Sequence, residues 1–118
     1  MSGADYFSNE FAINPYYFIL RGPINIEKAK AEHVAIREAL EEASVNVIQV
    51  PPPEDCQDGV YTANWGLVRG DKALLSVLPN KRRAETTYAE KILSEQGKTI
   101  LKLPEGLQIE GWQNIMFY

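Results

Sequence analysis

The stretch CQDGVYTANWGLVRGDKALLSVL, residues 56–78, decides how the middle of the chain folds. Two runs of strand-forming residues, Val60–Thr62 and Trp65–Val68, come before a Gly-Asp pair, and Lys72–Leu78 follows it. Because Gly-Asp between apolar runs is typical of a hairpin turn, Lys72–Leu78 is predicted to be the partner strand. Asp58 just before the first run and Asn64 within the segment are polar, as if something had to be held there.

Outward from this hairpin the sequence predicts alternating strands and helices. An asparagine that can cap a helix, a proline that stops a strand and a glycine that ends a helix mark most boundaries. The predicted elements are a strand at Tyr16–Leu20, a helix from Asn25 to Ala43, a strand at Val45–Val50 before Pro51–Pro53, a helix from Arg82 to Gln96 before Gly97, a strand at Lys98–Leu103 and a strand from Leu107 to Tyr118. The first helix has an apolar stripe that consists of Ile26, Ala29, His33, Ile36, Leu40 and Ala43.

The two halves repeat this order of elements. The pattern of Val47–Pro51 recurs at Ile100–Pro104, 53 positions later, and a period of this length suggests a repeated supersecondary unit. Two parallel strands joined by a crossover helix, with a hairpin strand added, make a plausible unit. The prediction is an α/β fold of repeated ββαβ units.

Composition narrows the class of protein. The 118 residues are 45% apolar and 24% charged, which is ordinary for one globular domain and argues against disorder or a membrane span. A net charge of −4 argues against a nucleic-acid surface. A single cysteine and a single histidine argue against a zinc site, and an N-terminus without signal-peptide features makes the cytoplasm the expected compartment.

Several separated segments together resemble one family. They are Tyr6-Phe7 with Ile13–Pro15, Asp58–Asn64, Arg82 with Glu85, and Glu110-Gly111. In this order they resemble the amino-terminal part of the pentein superfamily, and within it the amidinotransferase and dimethylargininase group, which is related to arginine deiminase. The resemblance covers almost the whole chain.

The resemblance implies a propeller of five ββαβ units around a channel. Residues 1–118 would then be a single partial domain with about two units, roughly 12–69 and a truncated 70–118. Members of the family attack a guanidinium or amidinium carbon with a cysteine nucleophile, use a histidine as acid and base, and grip the guanidinium with carboxylates. The catalytic histidine and cysteine lie in later units of the family, so no catalytic residue is expected in this chain.

Four substrate-binding positions follow from the resemblance. Asp58 matches the family's acid before the strand, and Asn64 matches a position that is aspartate in some branches and asparagine in this one. Arg82 belongs to an R-x-x-E element whose arginine approaches the substrate's carboxylate. Asn114 stands where the E-G-x-G-D element that begins at Glu110 should have its aspartate, so that charge is missing unless an insertion displaces it.

Simpler structural roles compete with these assignments. Asp58 before a glycine is a common turn residue, and Asn64 could end a strand or form a bulge. Arg82 and Glu85 could be solvated residues in the first turn of a helix, although an arginine there opposes the helix dipole. His33 is expected to pack on the apolar stripe of the first helix, and the acidic surroundings of Cys56 make it a poor nucleophile.

Two functions remain open. The chain is predicted to be the amino-terminal segment of a guanidino-modifying amidinotransferase or hydrolase, with a guanidine or arginine-like substrate and no metal or organic cofactor. The alternative is a non-catalytic pentein-like binding or assembly module that other subunits complete. Asn114–Tyr118 ends in what should be a buried strand, so a homo-oligomer or a missing carboxy-terminal half is expected.

Overall fold

The computed structural model describes residues 1–11, 22–78, 82–107 and 109 of the chain. Its contacts divide it into two compact units, Met1–Val60 and Tyr61–Tyr118, and each is described by itself. The elements are helix α1 (Ile26–Glu42), a short 3-10 helix (Thr62–Asn64), strand β1 (Gly66–Arg69), strand β2 (Lys72–Leu75), helix α2 (Arg83–Glu95) and strand β3 (Thr99–Leu101). The predicted strand at 16–20, and all of the predicted strand at 107–118 except residues 107 and 109, lie outside the described residues.

Helix α1 of the first unit forms where the capping residue and the periodicity predict it. The Oδ1 atom of Asn25 accepts a hydrogen bond from the backbone N–H of Lys28 at 3.0 Å, which satisfies one of the unpaired donors at the helix start. None of its 17 residues is buried, and Ile36 on the predicted apolar stripe is 56% exposed. The stripe therefore leaves apolar surface uncovered.

The strand predicted at Val45–Val50 is wrong for the described part of the chain. There the run pairs only through an isolated parallel bridge between Ser2 and Val50. Val45 and Ile48 are each 47% exposed. β-Branched residues fit a half-buried pleated surface, but their propensity does not supply a partner strand, so the run follows Met1–Gly3 without forming a ladder.

The second unit contains the predicted hairpin and crossover. β1 and β2 pair antiparallel from Gly66 with Leu75 to Arg69 with Lys72, and the turn between them has Gly70 at a φ of 60°. β3 pairs parallel to β2, so α2 is the crossover between two parallel strands. These elements confirm the predicted hairpin, the helix and the strand that follows it. β2 and β3 are shorter than predicted, and β1 is shifted by one residue from the predicted run Trp65–Val68.

The core of this unit lies between β2 and α2. Ala73 and Leu75 on one face of β2 are buried, as is Ala89 on α2. Trp65 meets Tyr88 edge-on, with ring centroids 5.6 Å apart. The side-chain oxygen of Thr86 bridges the chain just beyond β2, which places the start of α2 against that strand.

The strand predicted at Val60–Thr62 is also wrong. Val60 lies in a turn, and Thr62–Asn64 is a 3-10 helix. The N–H of Asn64 donates to the carbonyl of Tyr61 at 3.0 Å, and the N–H of Trp65 donates to the carbonyl of Thr62 at 3.1 Å. These local bonds take the backbone groups that a strand would offer to a neighbour, so β1 begins only at Gly66.

Candidate functional site

Asp58 of the first unit lies in a tight turn and is almost fully buried, with 1% of its surface exposed. The backbone N–H of Gly59 donates to the carbonyl of Cys56 at 3.0 Å, which closes the turn around Asp58. A carboxylate that merely shaped an exposed turn would be solvated. Because burying a carboxylate is costly without partners, Asp58 depends on hydrogen-bond donors in the surrounding fold.

Gln57, which the sequence reasoning did not single out, holds this carboxylate. Its Nε2 atom donates to Oδ2 of Asp58 at 3.2 Å and to the backbone carbonyl of Phe11 at 2.9 Å. Its Oε1 atom accepts the backbone N–H of Phe11 at 3.0 Å. A glutamine next to a candidate binding aspartate was the available signal, but a sequence does not show that the amide turns back to residue 11.

Gly59 is required by packing in the same turn. A Cβ atom added there would lie 2.5 Å from Cγ of Pro53 and 3.2 Å from the carbonyl oxygen of Cys56. Both distances are shorter than ordinary van der Waals contact. The last proline of the Pro51–Pro53 triplet thus lies directly against the turn that carries Asp58.

Asn64 of the second unit is buried at the end of the 3-10 helix. The sequence left open whether Asn64 ends a strand or forms a bulge. In the structure it is in neither, and its side chain is buried and not at a solvent face. The next residue, Trp65, is also buried, and within the described residues its Nε1 atom has no hydrogen-bond partner.

Arg82 and Glu85 of the second unit form a buried ion pair. The Nε atom of Arg82 donates to Oε1 of Glu85 at 2.9 Å, and Nη2 donates to Oε2 at 2.8 Å. Their side chains are 6% and 1% exposed. The interpretation as solvated first-turn residues is therefore wrong, because the start of α2 packs inward and carries both charges with it.

The structure places three of the four predicted site residues. Asp58 is joined to Gln57, Arg82 is joined to Glu85, and Asn64 is buried. Asn114 lies outside the described residues. The substrate-binding role of all four stays a prediction.

Cys56 and His33, which the sequence analysis set aside, occupy structural positions. Cys56 is buried beside the Asp58 turn. His33 is half-buried on α1, as predicted, and its Nε2 atom has no hydrogen-bond partner in the described part of the chain. In residues 1–11, 22–78, 82–107 and 109, no three histidine, cysteine or acidic side chains group together as a metal site requires, and no helix is long and apolar enough to cross a membrane.

Two tyrosines have perturbed acidity. The charge of Glu54, followed by desolvation, raises the pKa of Tyr6, because a nearby carboxylate disfavours the phenolate. Burial, followed by the charge of Glu95, raises the pKa of Tyr88. Tyr88 is the ring that contacts Trp65, so its acidity reports on the packing between α2 and the segment before β1.

Two of the curated proteins with similar sequences are bifunctional arginine dihydrolase/ornithine cyclodeaminases. ArgZ of Synechocystis is 31% identical over 123 residues, which cover 99% of this chain and 17% of ArgZ. AgrE of Nostoc is 31% identical over 115 residues, which cover 94% of this chain and 16% of AgrE. The chain thus spans less than a fifth of these relatives, and no protein-family model matches it.

Solved structures extend the comparison. The N-terminal domain of ArgZ bound to product superposes with a TM-score of 0.83 at 30% identity, over 94% of this chain and 41% of that one. A variant of dimethylarginine dimethylaminohydrolase, as an adduct with S-methyl-L-thiocitrulline, superposes with a TM-score of 0.74 over 92% of this chain and 41% of that one, and its 20% identity shows the fold alone. The chain is therefore homologous to part of the N-terminal domain of ArgZ and AgrE, which confirms its resemblance to the pentein superfamily and the α/β class of its fold.

Proposed function

We propose that this chain supplies substrate-binding residues to a guanidino-modifying enzyme of the arginine dihydrolase type. The observation that carries the proposal is the 31% identity to ArgZ along 99% of the chain. The proposed substrate is arginine or an arginine-like guanidine, and the reaction is hydrolysis or amidino transfer. Structures of the relatives hold L-arginine in AgrE and substrate or product in ArgZ, which supports a substrate of this class.

Residues 1–118 are proposed to form about two of the five ββαβ units of a propeller, roughly 12–69 and 70–118. The antiparallel β1–β2 hairpin followed by α2 and the parallel β3 has the ββαβ order, with β1 at the end of the first proposed range and the other three elements in the second. The catalytic cysteine and histidine are proposed to come from later units. The enzyme is proposed to act in the cytoplasm, as composition and the N-terminus predict.

Asp58 is proposed to accept hydrogen bonds from the guanidinium group of the substrate. A guanidinium is a planar cation with N–H donors in fixed directions, and a carboxylate held in one orientation matches it. Asp58 meets this requirement because it is buried and one of its oxygens accepts a hydrogen bond from Gln57. Asn64 and Asn114 are proposed to add amide contacts to the same substrate.

Arg82 is proposed to bind the α-carboxylate of the substrate. Glu85 holds the guanidinium plane of Arg82 through two parallel hydrogen bonds, so the side chain is ordered before any ligand arrives. Ordering a binding residue in advance reduces the entropy lost on binding. The paired carboxylate also offsets part of the desolvation free energy of the buried arginine, which would be uncompensated for an unpaired cation.

The test is the activity of the native gene product on L-arginine, measured as release of ammonia, citrulline and ornithine. We expect turnover, and we expect Asp58→Asn to reduce kcat/KM by at least about a hundredfold, since it removes the charge that faces the guanidinium. Asp55→Asn is the matched control, because Asp55 is exposed and has a φ of 57° that asparagine also adopts. Equal activity of the Asp58 variant and wild type would overturn the assignment.

The second candidate function is a non-catalytic module that other subunits complete. The incompletely covered apolar stripe of α1, on which no residue is fully buried and Ile36 is 56% exposed, favours it. The mass of the native gene product and its arginine turnover separate the two candidates. A product that ends at Tyr118 and assembles without turning over arginine would support the module, and a longer product with a late histidine and cysteine would support the enzyme.

A further inference from the structure

We infer that Gln57 is a positioning residue that fixes the orientation of the Asp58 carboxylate for guanidinium binding. The inference rests on the proposed function, because it assigns Gln57 a part in the same binding event. Its structural basis is separate: the side-chain amide of Gln57 is hydrogen-bonded to the backbone of residue 11 and to the buried carboxylate of Asp58.

The bonding capacity of the Gln57 amide explains how it sets a direction. An amide NH2 has two N–H donors, and the two acceptors near Nε2 are the Phe11 carbonyl and Oδ2 of Asp58. The amide oxygen accepts the Phe11 N–H at 3.0 Å. Two opposed bonds to the backbone N–H and carbonyl of one residue, Phe11, oppose flipping or rotation of the amide, so the remaining N–H has a fixed direction toward Asp58.

This fixed donor constrains Asp58. Aspartate χ2 is a soft torsion with a broad, roughly twofold distribution, and a carboxylate left to itself samples many orientations about it. A donor fixed to the backbone selects the orientations in which Oδ2 faces Gln57. A guanidinium requires acceptors at defined positions in its plane. If the carboxylate had no preferred orientation, ordering it on binding would cost entropy and the substrate would bind less tightly.

The anchor for this arrangement is backbone and not side chain. Phe11 contributes its N–H and carbonyl, while its ring is exposed. The positioning therefore depends on the side chain at residue 57 and on the path of the chain at residue 11, which lies 46 positions earlier. Gly59 packed on Pro53 fixes the other side of the Asp58 turn.

Two substitutions of Gln57 separate its functions. Gln57→Met keeps the length of the side chain and removes every hydrogen bond of the amide. Gln57→Glu keeps an acceptor for the Phe11 N–H but removes both donors and places a second carboxylate beside Asp58. Gln49→Met is the matched control, since Gln49 is an exposed glutamine of the same unit. Circular dichroism identifies variants that remain folded.

The first readout is the carboxyl 13C chemical shift of Asp58, followed as a function of pH in the native gene product. Loss of a hydrogen bond to the ionised carboxylate raises the pKa of Asp58, so the titration midpoint should move upward in Gln57→Met and further in Gln57→Glu. It should not move in Gln49→Met. An unchanged midpoint in both Gln57 variants overturns the inference, whatever the substrate.

The second readout is binding of L-arginine by titration calorimetry, with the steady-state constants beside it. Gln57→Met should weaken arginine binding by about tenfold, as expected for a hydrogen bond to a charged group, while kcat changes less than KM. If Asp58→Asn leaves arginine binding unchanged while Gln57→Met still moves the Asp58 midpoint, the proposed function fails and the positioning of the carboxylate stands. If Asp58→Asn abolishes binding and Gln57→Met changes neither readout, the positioning fails alone.

Discussion

Arg82 and Glu85 share two parallel hydrogen bonds, of 2.9 and 2.8 Å, across the first turn of α2, and both side chains are buried. The arginine is the residue before the helix, and the glutamate lies in its first turn. The helix dipole favours the glutamate there and disfavours the arginine. The arginine is nevertheless kept in place because the buried carboxylate requires a cation beside it.

Loss of Glu85 should therefore strongly destabilise the fold. Glu85→Gln leaves the Arg82 charge buried without its paired carboxylate, and we expect the free energy of unfolding to fall by about 3 kcal/mol. Urea unfolding of the 118-residue chain measures it. Glu95→Gln on the same helix is the control, because its pair with Lys91 is 3.9 Å long and exposed, and it should change stability by less than about 0.5 kcal/mol. Equal losses in the two variants would contradict the buried pair.

Arg82 should distinguish ligands that carry a carboxylate from those that do not. Arg82→Lys keeps the positive charge but cannot form two parallel bonds with a carboxylate. In the native gene product we expect it to weaken L-arginine binding by about tenfold and to leave binding of decarboxylated arginine within about twofold of wild type. Calorimetric titration of both ligands checks this. A similar loss for both would show that Arg82 does not contact the carboxylate.

Packing of Gly59 on Pro53 makes this glycine sensitive to substitution. Gly59→Ala adds a Cβ atom that would lie 2.5 Å from the proline ring, so the turn must open and move Asp58. We expect a loss of stability of about 1–3 kcal/mol, together with weaker arginine binding in the native gene product. Gly22→Ala is the control, since nothing lies within 4 Å of the added atom there. A free energy of unfolding equal to that of wild type would show that the turn accommodates the added methyl group without loss of stability.

Tyr88 should make stability depend on pH under alkaline conditions. Burial raises its pKa above the ordinary value of 10.0, so the folded state keeps the proton more tightly than the unfolded state. Its contribution is fully present below pH 10 and is lost as pH rises through the higher folded-state pKa. Tyr88→Phe retains the ring but cannot ionise. The free energy of unfolding should fall more steeply above pH 10 in wild type than in the variant, and parallel profiles would disprove the shift.

The 118-residue chain alone should not turn over arginine derivatives. The proposed nucleophile and acid-base histidine come from later units, and Cys56 is a buried thiol beside a turn. We expect no release of citrulline, urea or methylamines above the buffer background, with or without Cys56→Ser. Colorimetric and mass-spectrometric assays measure these products. Turnover that Cys56→Ser abolishes would make Cys56 the nucleophile and would refute the proposal that the catalytic residues come from later units.

Local signals in the sequence were sufficient for the elements that local bonds define. Asn25 caps α1 with its own side chain, Gly70 forms the hairpin turn, and Gly97 beyond α2 has a φ of 75°. Each of these depends on a few adjacent residues, so a single sequence predicts them.

Elements that depend on distant partners were harder to predict. Val60–Thr62 has strand-forming residues, but the backbone hydrogen bonds that begin there form a 3-10 helix. Val45–Val50 has β-branched residues but forms only one bridge among the described residues. The same limit applies to the candidate site. Its residue types were visible, but the burial of Arg82 and the bond from Gln57 to residue 11 arise from tertiary contacts.

The β1–β2 turn differs from most hairpin tips because its carbonyl groups are bonded to a later part of the chain. Lys98 donates to the carbonyl of Gly70 at 2.9 Å, and the N–H of Thr99 donates to the carbonyl of Asp71 at 2.7 Å. Exposed hairpin tips are the usual places to insert a tag or to expect protease cleavage. In this protein an insertion at Gly70-Asp71 would also detach the start of β3, so the exposed loop at Glu105-Gly106 is the better position for a tag or a cleavage site.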